Sequence, residues 1–169
     1  DWPWFNGWCG DIDLIGQKKP QSYYRDVVWR LAPITMAVER PIPSGYYQSI
    51  SNWGWQLEQQ SWTFNDLIEK DIMTVNVYSR SPRVRLYLND VLMDEKATSN
   101  TYWAGFYIPY RPGVLKAVEF DGTKEGASFI LETTSSDAAI RLSADRKEIR
   151  SDNTDLSYIT IELIDEKGR

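Results

Sequence analysis

The sequence contains no histidine. Its absence removes Ser-His-Asp and Cys-His machinery, and most zinc sites, in one step. Cys9 is the single cysteine, so neither an internal disulfide nor a Cys-based metal site can form. Basic residues number 19 against 24 acidic ones, a net charge of −5, which argues against nucleic acid, whose binding rests on clustered Lys and Arg. Arg80, Arg83 and Arg85 do lie close together; they read as a solvated strand face. No apolar run approaches the roughly 20 residues needed to span a bilayer, and no signal-peptide pattern opens the chain. No cofactor is implied by the residues present, and no metal-ligand spacing is found.

What is plentiful is aromatic. Eight Trp and ten Tyr raise aromatic content to 14%. An indole is costly to hide completely because its N–H wants a partner. A Trp-rich, acidic, histidine-free chain with β patterning suggests carbohydrate chemistry, where rings stack on sugar faces. Core and domain-interface packing is the rival use of the same rings.

The clearest pattern runs from Thr74 to Met93. Met73, Val75 and Val77 alternate with polar neighbours, as do Val84, Leu86 and Leu88 after a break at 79–82. Period-two alternation puts each aliphatic row on one face of a strand. Pro82 marks a turn, and Asn89-Asp90 closes a tight hairpin into Val91-Leu92-Met93, because Asn and Asp tolerate the left-handed region. Three antiparallel strands with one oily face then need a second sheet laid across them.

Earlier, residues 1–19 are aromatic and loop-like, and Pro20 to Leu31 is the one good helix, with Tyr24, Val27, Val28 and Leu31 on one stripe and Pro33 as its stop. Ile34 to Glu39 is a first strand and 40–52 a loop. Tyr102 to Ile108, Val114 to Phe120 and Ala127 to Thr133 are further strands, the last two separated by Asp121-Gly122. About seven strands over roughly 100 residues fit an immunoglobulin-like sandwich. After 135–137, Ile140 and Leu142, then Ile159, Ile161 and Leu163, alternate around a charged loop at 145–155. They read as the first two strands of another sandwich, too small to stand alone. The expected organisation is 1–32, a terminal loop and helix; 33–135, the sandwich; and 136–169, the start of a second.

Several stretches together resemble glycoside hydrolase family 2, the β-galactosidase-like enzymes. Trp2-Pro3-Trp4, then 10–16 (GDIDLIG), Pro20, Tyr23-Tyr24 and Trp29, look like the last loop and helix of that family's catalytic (β/α)8 barrel. Residues 52–55 (NWGW), 84–89 (VRLYLN) and 108–117 (IPYRPGVLKA) resemble the sandwich that follows the barrel in one β-galactosidase subgroup, and 139–168 resembles an invasin-like sandwich placed after it. The fold class implied is mainly β: an immunoglobulin-like antiparallel β-sandwich with an N-terminal remnant of the barrel and a partial second sandwich.

The resemblance also places the chemistry elsewhere. The family's acid/base and nucleophile glutamates sit at the ends of the fourth and seventh barrel strands, upstream of Asp1, so no catalytic residue is expected in this chain. Asp1-Trp2-Pro3-Trp4 reads as a cut inside a folded region. Asp11 and Asp13 read as structural, one capping a loop and one pairing with Lys18 or Lys19; Glu58, Glu119 and Glu132 show nothing convergent around them. Trp4 and Trp8, with Trp2 beside them, are the substrate-binding candidates, since the resemblance puts them in a loop at the barrel's active face; barrel–sandwich packing is the alternative. The sandwich is expected to brace the barrel, burying Trp29 and one or more of Trp53, Trp55 or Trp62. The function implied is the non-catalytic C-terminal portion of a retaining exo-glycosidase, a β-galactosidase, with an oligosaccharide or polysaccharide reached through the barrel. The family implies a periplasmic or secreted setting. Exposed strand edges suggest a homodimer. A stand-alone carbohydrate-binding or cell-surface module is the other reading.

Overall fold

The structure, a computed structural model, describes residues 10–13, 16–50, 56–136 and 139–169. The chain divides into two compact units, one ending at Thr133 and one running from Thr134 to Arg169.

In the first unit, α1 spans Pro20–Val28 and opens on Pro20, whose fixed φ suits the first turn. It stops earlier than the apolar spacing predicts. Arg30 takes a φ of 64°, the Leu31 amide donates to the Asp26 carbonyl at 2.8 Å, and the Arg30 amide donates to the Val27 carbonyl at 3.2 Å. This left-handed close satisfies the last carbonyls three residues before Pro33. Leu31 leaves the stripe and is exposed, and Trp29 is 64% exposed in this chain. Asp11 and Asp13 play the structural parts: Asp13 Oδ1 accepts from the Gln17 amide at 2.9 Å, while Asp11 pairs with Arg25. Lys18 goes to Asp26 instead, at 2.6 Å.

Eight strands follow: β1 Ile34–Glu39, β2 Glu58–Gln59, β3 Ile72–Ser79, β4 Arg83–Leu88, β5 Val91–Ala97, β6 Trp103–Pro109, β7 Val114–Phe120 and β8 Glu125–Glu132. They form two antiparallel sheets, β2-β1-β3-β6 and β5-β4-β7-β8. This is the two-layer antiparallel arrangement of immunoglobulin-like sandwiches. One expectation is corrected here. β3 does not share a sheet with β4 and β5. The link at 79–82 carries the chain from one sheet to the other, and Asn89-Asp90 makes the hairpin of the second sheet alone. The reason lies in the link itself. Ser79 Oγ donates to Glu119 at 2.6 Å and Ser81 Oγ donates to the Phe120 carbonyl at 3.2 Å, both on β7. The Arg80 guanidinium reaches back to the Ala32 carbonyl at 3.3 Å.

The aliphatic rows therefore meet face to face. Met73, Val75 and Val77 of β3, with Met36, Val38, Phe106 and Ile108, pack on Val84, Leu86, Leu88, Leu115 and Ala117. Trp62, fully buried, joins Phe64 and Tyr110 at one end of this core. The β4–β5 turn has both φ values positive, 51° at Asn89 and 63° at Asp90, the backbone such two-residue hairpins require. On the outer face of the second sheet, Arg83 and Arg85 both reach Glu95, at 2.6 and 2.8 Å, and Arg85 also reaches Glu125 at 3.2 Å. Two members of the basic cluster seen in the sequence, Arg83 and Arg85, are thus paired with neighbouring carboxylates, while Arg80 turns to backbone carbonyls.

The second unit pairs β9 (Ala139–Ala144) with β10 (Ile159–Ile164). Ile140 opposes Leu163 and Leu142 opposes Ile161, one apolar row, all exposed. Asp165 closes the unit: it accepts from the amides of Ser135, Lys167 and Arg169 at 3.2, 2.9 and 3.0 Å and pairs with Arg169 at 2.7 Å. Those donors hold its carboxyl far below the usual range.

Candidate functional site

The outer face of the first sheet is built by register. β1 and β3 align Thr35 with Tyr78, Ala37 with Asn76 and Glu39 with Thr74. β3 and β6 continue each row, Tyr78 to Trp103, Asn76 to Gly105 and Thr74 to Tyr107. β2 sets Glu58 opposite Glu39. Period two therefore brings polar and aromatic side chains from four strands onto one surface. Helix α1 covers one end of it: Thr35 Oγ1 donates to the Tyr23 carbonyl at 3.1 Å, and the Tyr24 and Tyr78 rings meet edge to face at 5.4 Å. The rest stays open as a cleft of about 580 Å³ lined by Tyr24, Glu39, Gln48, Asn76, Trp103 and Tyr107 among others.

A hydrogen-bonded network forms its floor. The Trp103 indole N–H donates to Asn76 Oδ1 at 2.9 Å. Asn76 Nδ2 donates to Glu39 at 2.7 Å and to Glu58 at 2.5 Å. The Tyr78 hydroxyl donates to the same Glu58 oxygen at 2.6 Å. Glu58 was expected to have nothing convergent around it; it is instead a buried carboxyl with three polar neighbours. Its partners lie 18 and 20 residues away in sequence, and only strand register joins them. Burial raises the Glu58 pKa; the Tyr78 hydrogen bond pulls it down, the Glu39 charge raises it again, and Asn76 lowers it. The net is upward. Burial and the Glu58 charge push Tyr78 up as well, so its hydroxyl stays a donor.

Two glutamates bridged by one amide invite comparison with a retaining glycosidase pair, in which one carboxyl is protonated and the other ionised. The geometry does not serve that chemistry. Asn76 Nδ2 occupies the space between the two carboxyls, and Glu58 is only 7% exposed, so no glycosidic bond can be flanked by both. Glu119 is likewise committed, to Ser79 and to the Ala127 amide at 3.3 Å. The substrate-binding candidates Trp4 and Trp8, and Trp2, Trp53 and Trp55, lie outside the described residues. Among the described residues no group of three or more Cys, Asp or Glu is placed to hold a metal ion, and no helix is long and apolar enough to cross a membrane.

The raised Glu58 carboxyl gives a measurable pH effect. A group protonated more readily when folded adds stability that is fully present below its unfolded value, near 4.5, and lost as pH rises through the folded value. Glu58→Gln keeps an acceptor for Tyr78 and Asn76 but cannot ionise. The variant is expected to gain on the wild type as pH is raised from about 4.5, read as the difference in urea midpoints. A difference that stays constant as pH rises would show that Glu58 ionises as freely as in the unfolded chain.

The fold is a two-layer antiparallel β-sandwich with a polar cleft on the outer face of its first sheet. Comparison with known proteins adds the family. A domain of unknown function, DUF4982, matches residues 70–127. A glycosyl hydrolase family 2 member from Bacteroides cellulosilyticus is 38% identical, with a TM-score of 0.84 over 95% of this chain and 22% of its own. "Beta-galactosidase BoGH2A" from Bacteroides ovatus is 23% identical over 99% of this chain and 17% of its own length. A β-glucuronidase from glycoside hydrolase family 2, 22% identical, shares the fold with a TM-score of 0.68 over 95% of this chain and 15% of its own. The chain corresponds to the C-terminal region of a glycoside hydrolase family 2 glycosidase. It spans about a fifth, or less, of the length of these relatives.

Proposed function

We propose that this chain is the non-catalytic C-terminal part of a retaining β-galactosidase, acting as a rigid brace for the catalytic barrel. The likeness to a family 2 member at 38% identity, running from the helix through both β units, carries this reading. The 23% identity to a β-galactosidase supports the choice of sugar. The full-length protein would remove terminal β-galactosyl units from an oligosaccharide or polysaccharide by double displacement, with both carboxyls supplied upstream. The same reading sets the protein in the periplasm or outside the cell.

The test is turnover of an aryl β-galactoside. The purified 169-residue chain is expected to give none above the uncatalysed rate, while a longer protein carrying the upstream barrel turns it over. Hydrolysis by the short chain, abolished by a substitution within it, would sink the proposal. Turnover by the longer protein of an aryl β-glucuronide in preference would overturn the sugar while leaving the brace.

A further inference from the structure

We propose that the cleft on the outer face of the first sheet is a binding site for a neutral saccharide. The inference does not depend on the galactosidase reading, since it concerns binding by this chain alone. Trp103 carries it. Its six-membered ring lies over Gly105, where a Cβ would come within 2.6 Å of the indole. Its N–H is already spent on Asn76 Oδ1 at 2.9 Å. The indole is thus fixed at two points, and what remains available is its flat face, with the residue still 43% exposed. Tyr107, two pleats along the same side of β6, is 69% exposed. Alternation sends Ala104, Phe106 and Ile108 into the core, so the outward aromatics are not there for the sandwich's own packing.

The remaining lining suits hydroxyl groups. Among the described residues the second oxygen of Glu39, the Thr74 hydroxyl and the Gln48 amide line the cleft without a hydrogen bond to another side chain or backbone group. Carboxylate and amide planes beside a ring face are the combination that reads a sugar: the apolar C–H face stacks, and vicinal hydroxyls bridge the planar polar groups. Charge selects within that class. Among the described residues no Lys or Arg lines the cleft, while Glu39 and Glu58 do; the nearest cation, Lys96, is engaged at the edge of β6 by the Gly105 carbonyl at 2.7 Å, so a uronate or a phosphorylated sugar would bring its anion against carboxylates first. The volume, about 580 Å³, lies within the range of small-ligand sites.

Calorimetric titration of the whole chain with lactose, cellobiose and glucuronate tests this. Saturable heat is expected with at least one neutral disaccharide and none with glucuronate. Trp103→Ala should weaken binding by roughly ten-fold or more. Gly105→Val leaves every contacting group in place, suits a strand, and should weaken binding comparably by lifting the indole. Tyr107→Ala, which removes an exposed side chain, gives a third reading where Trp103→Ala alters the circular dichroism spectrum. The proposal is overturned by absence of saturable heat with both disaccharides, by equal affinity for glucuronate, or by unchanged affinity in the variants that keep the native spectrum.

Discussion

Trp62→Ala is expected to cost the first unit roughly 3–5 kcal/mol of stability. The residue is fully buried, in the stretch between β2 and β3. Its ring meets Tyr110 at 5.2 Å and Phe64 at 6.3 Å, both edge-on, an arrangement favoured by the ring quadrupoles. Its N–H donates to the Arg111 carbonyl at 2.9 Å, and its own carbonyl accepts from Thr133 Oγ1 at 2.7 Å. It therefore ties the entrance of β3 to the turn before β7 and to the end of β8. Truncation opens a cavity and strands a carbonyl, which adds to the loss of transferred apolar surface. Trp29→Ala is the matched control: that ring is mostly exposed, and surface changes usually stay within about 0.5 kcal/mol. Urea unfolding followed by circular dichroism compares the two. Equal midpoints would mean that Trp62 does not hold the sandwich end closed.

Gly113→Ala is expected to cost roughly 2–4 kcal/mol, combining backbone strain with lost hydrogen bonds. Gly113 has a φ of 131°, and an added Cβ would fall 1.8 Å from Asn89 Oδ1. That Asn89 side chain is itself in use: Oδ1 accepts from the Val114 amide at 2.8 Å and Nδ2 donates to the Pro112 carbonyl at 3.0 Å. Two causes are thus combined, and a double-mutant cycle separates them. Asn89→Gly keeps the positive φ that the hairpin needs but removes the obstacle. If steric displacement matters, Gly113→Ala costs less in the Asn89→Gly background than in the wild type. If the cost is the same in both, strain at Gly113 alone explains it, and the Asn89 clamp is not what the turn depends on.

Much of the architecture could be read from residue order. β1 and β7 begin and end where alternation and flanking Pro, Asp and Gly residues say they should. The β4–β5 hairpin follows from Asn89-Asp90 alone, because few residues accept two positive φ values in succession. Sheet membership could not be read in this way. Period two tells which residues share a face, not which strand lies alongside, so the link at 79–82 looked like a hairpin. Its true role depends on Ser79 and Ser81 bonding to β7, 40 and 39 residues away. The helix end was misjudged for a related reason. Arg30 carries no sequence signal for a left-handed close, which glycine usually supplies. The cleft was invisible for the same cause on a larger scale: Glu58, Asn76 and Trp103 belong to three different strands, and nothing local marks them as neighbours.

The exchange of strands between layers has a consequence for how the unit comes together. β1 pairs with β3 and β4 with β7, yet β4 and β5 intervene between β3 and its other partner, β6. Neither layer is a continuous piece of polypeptide, so no cleavage between Ile34 and Glu132 liberates an intact half. Loop closure must precede most of the pairing that rewards it, which places such topologies among slow folders, on the order of milliseconds to seconds. A domain assembled this way either forms whole or not at all.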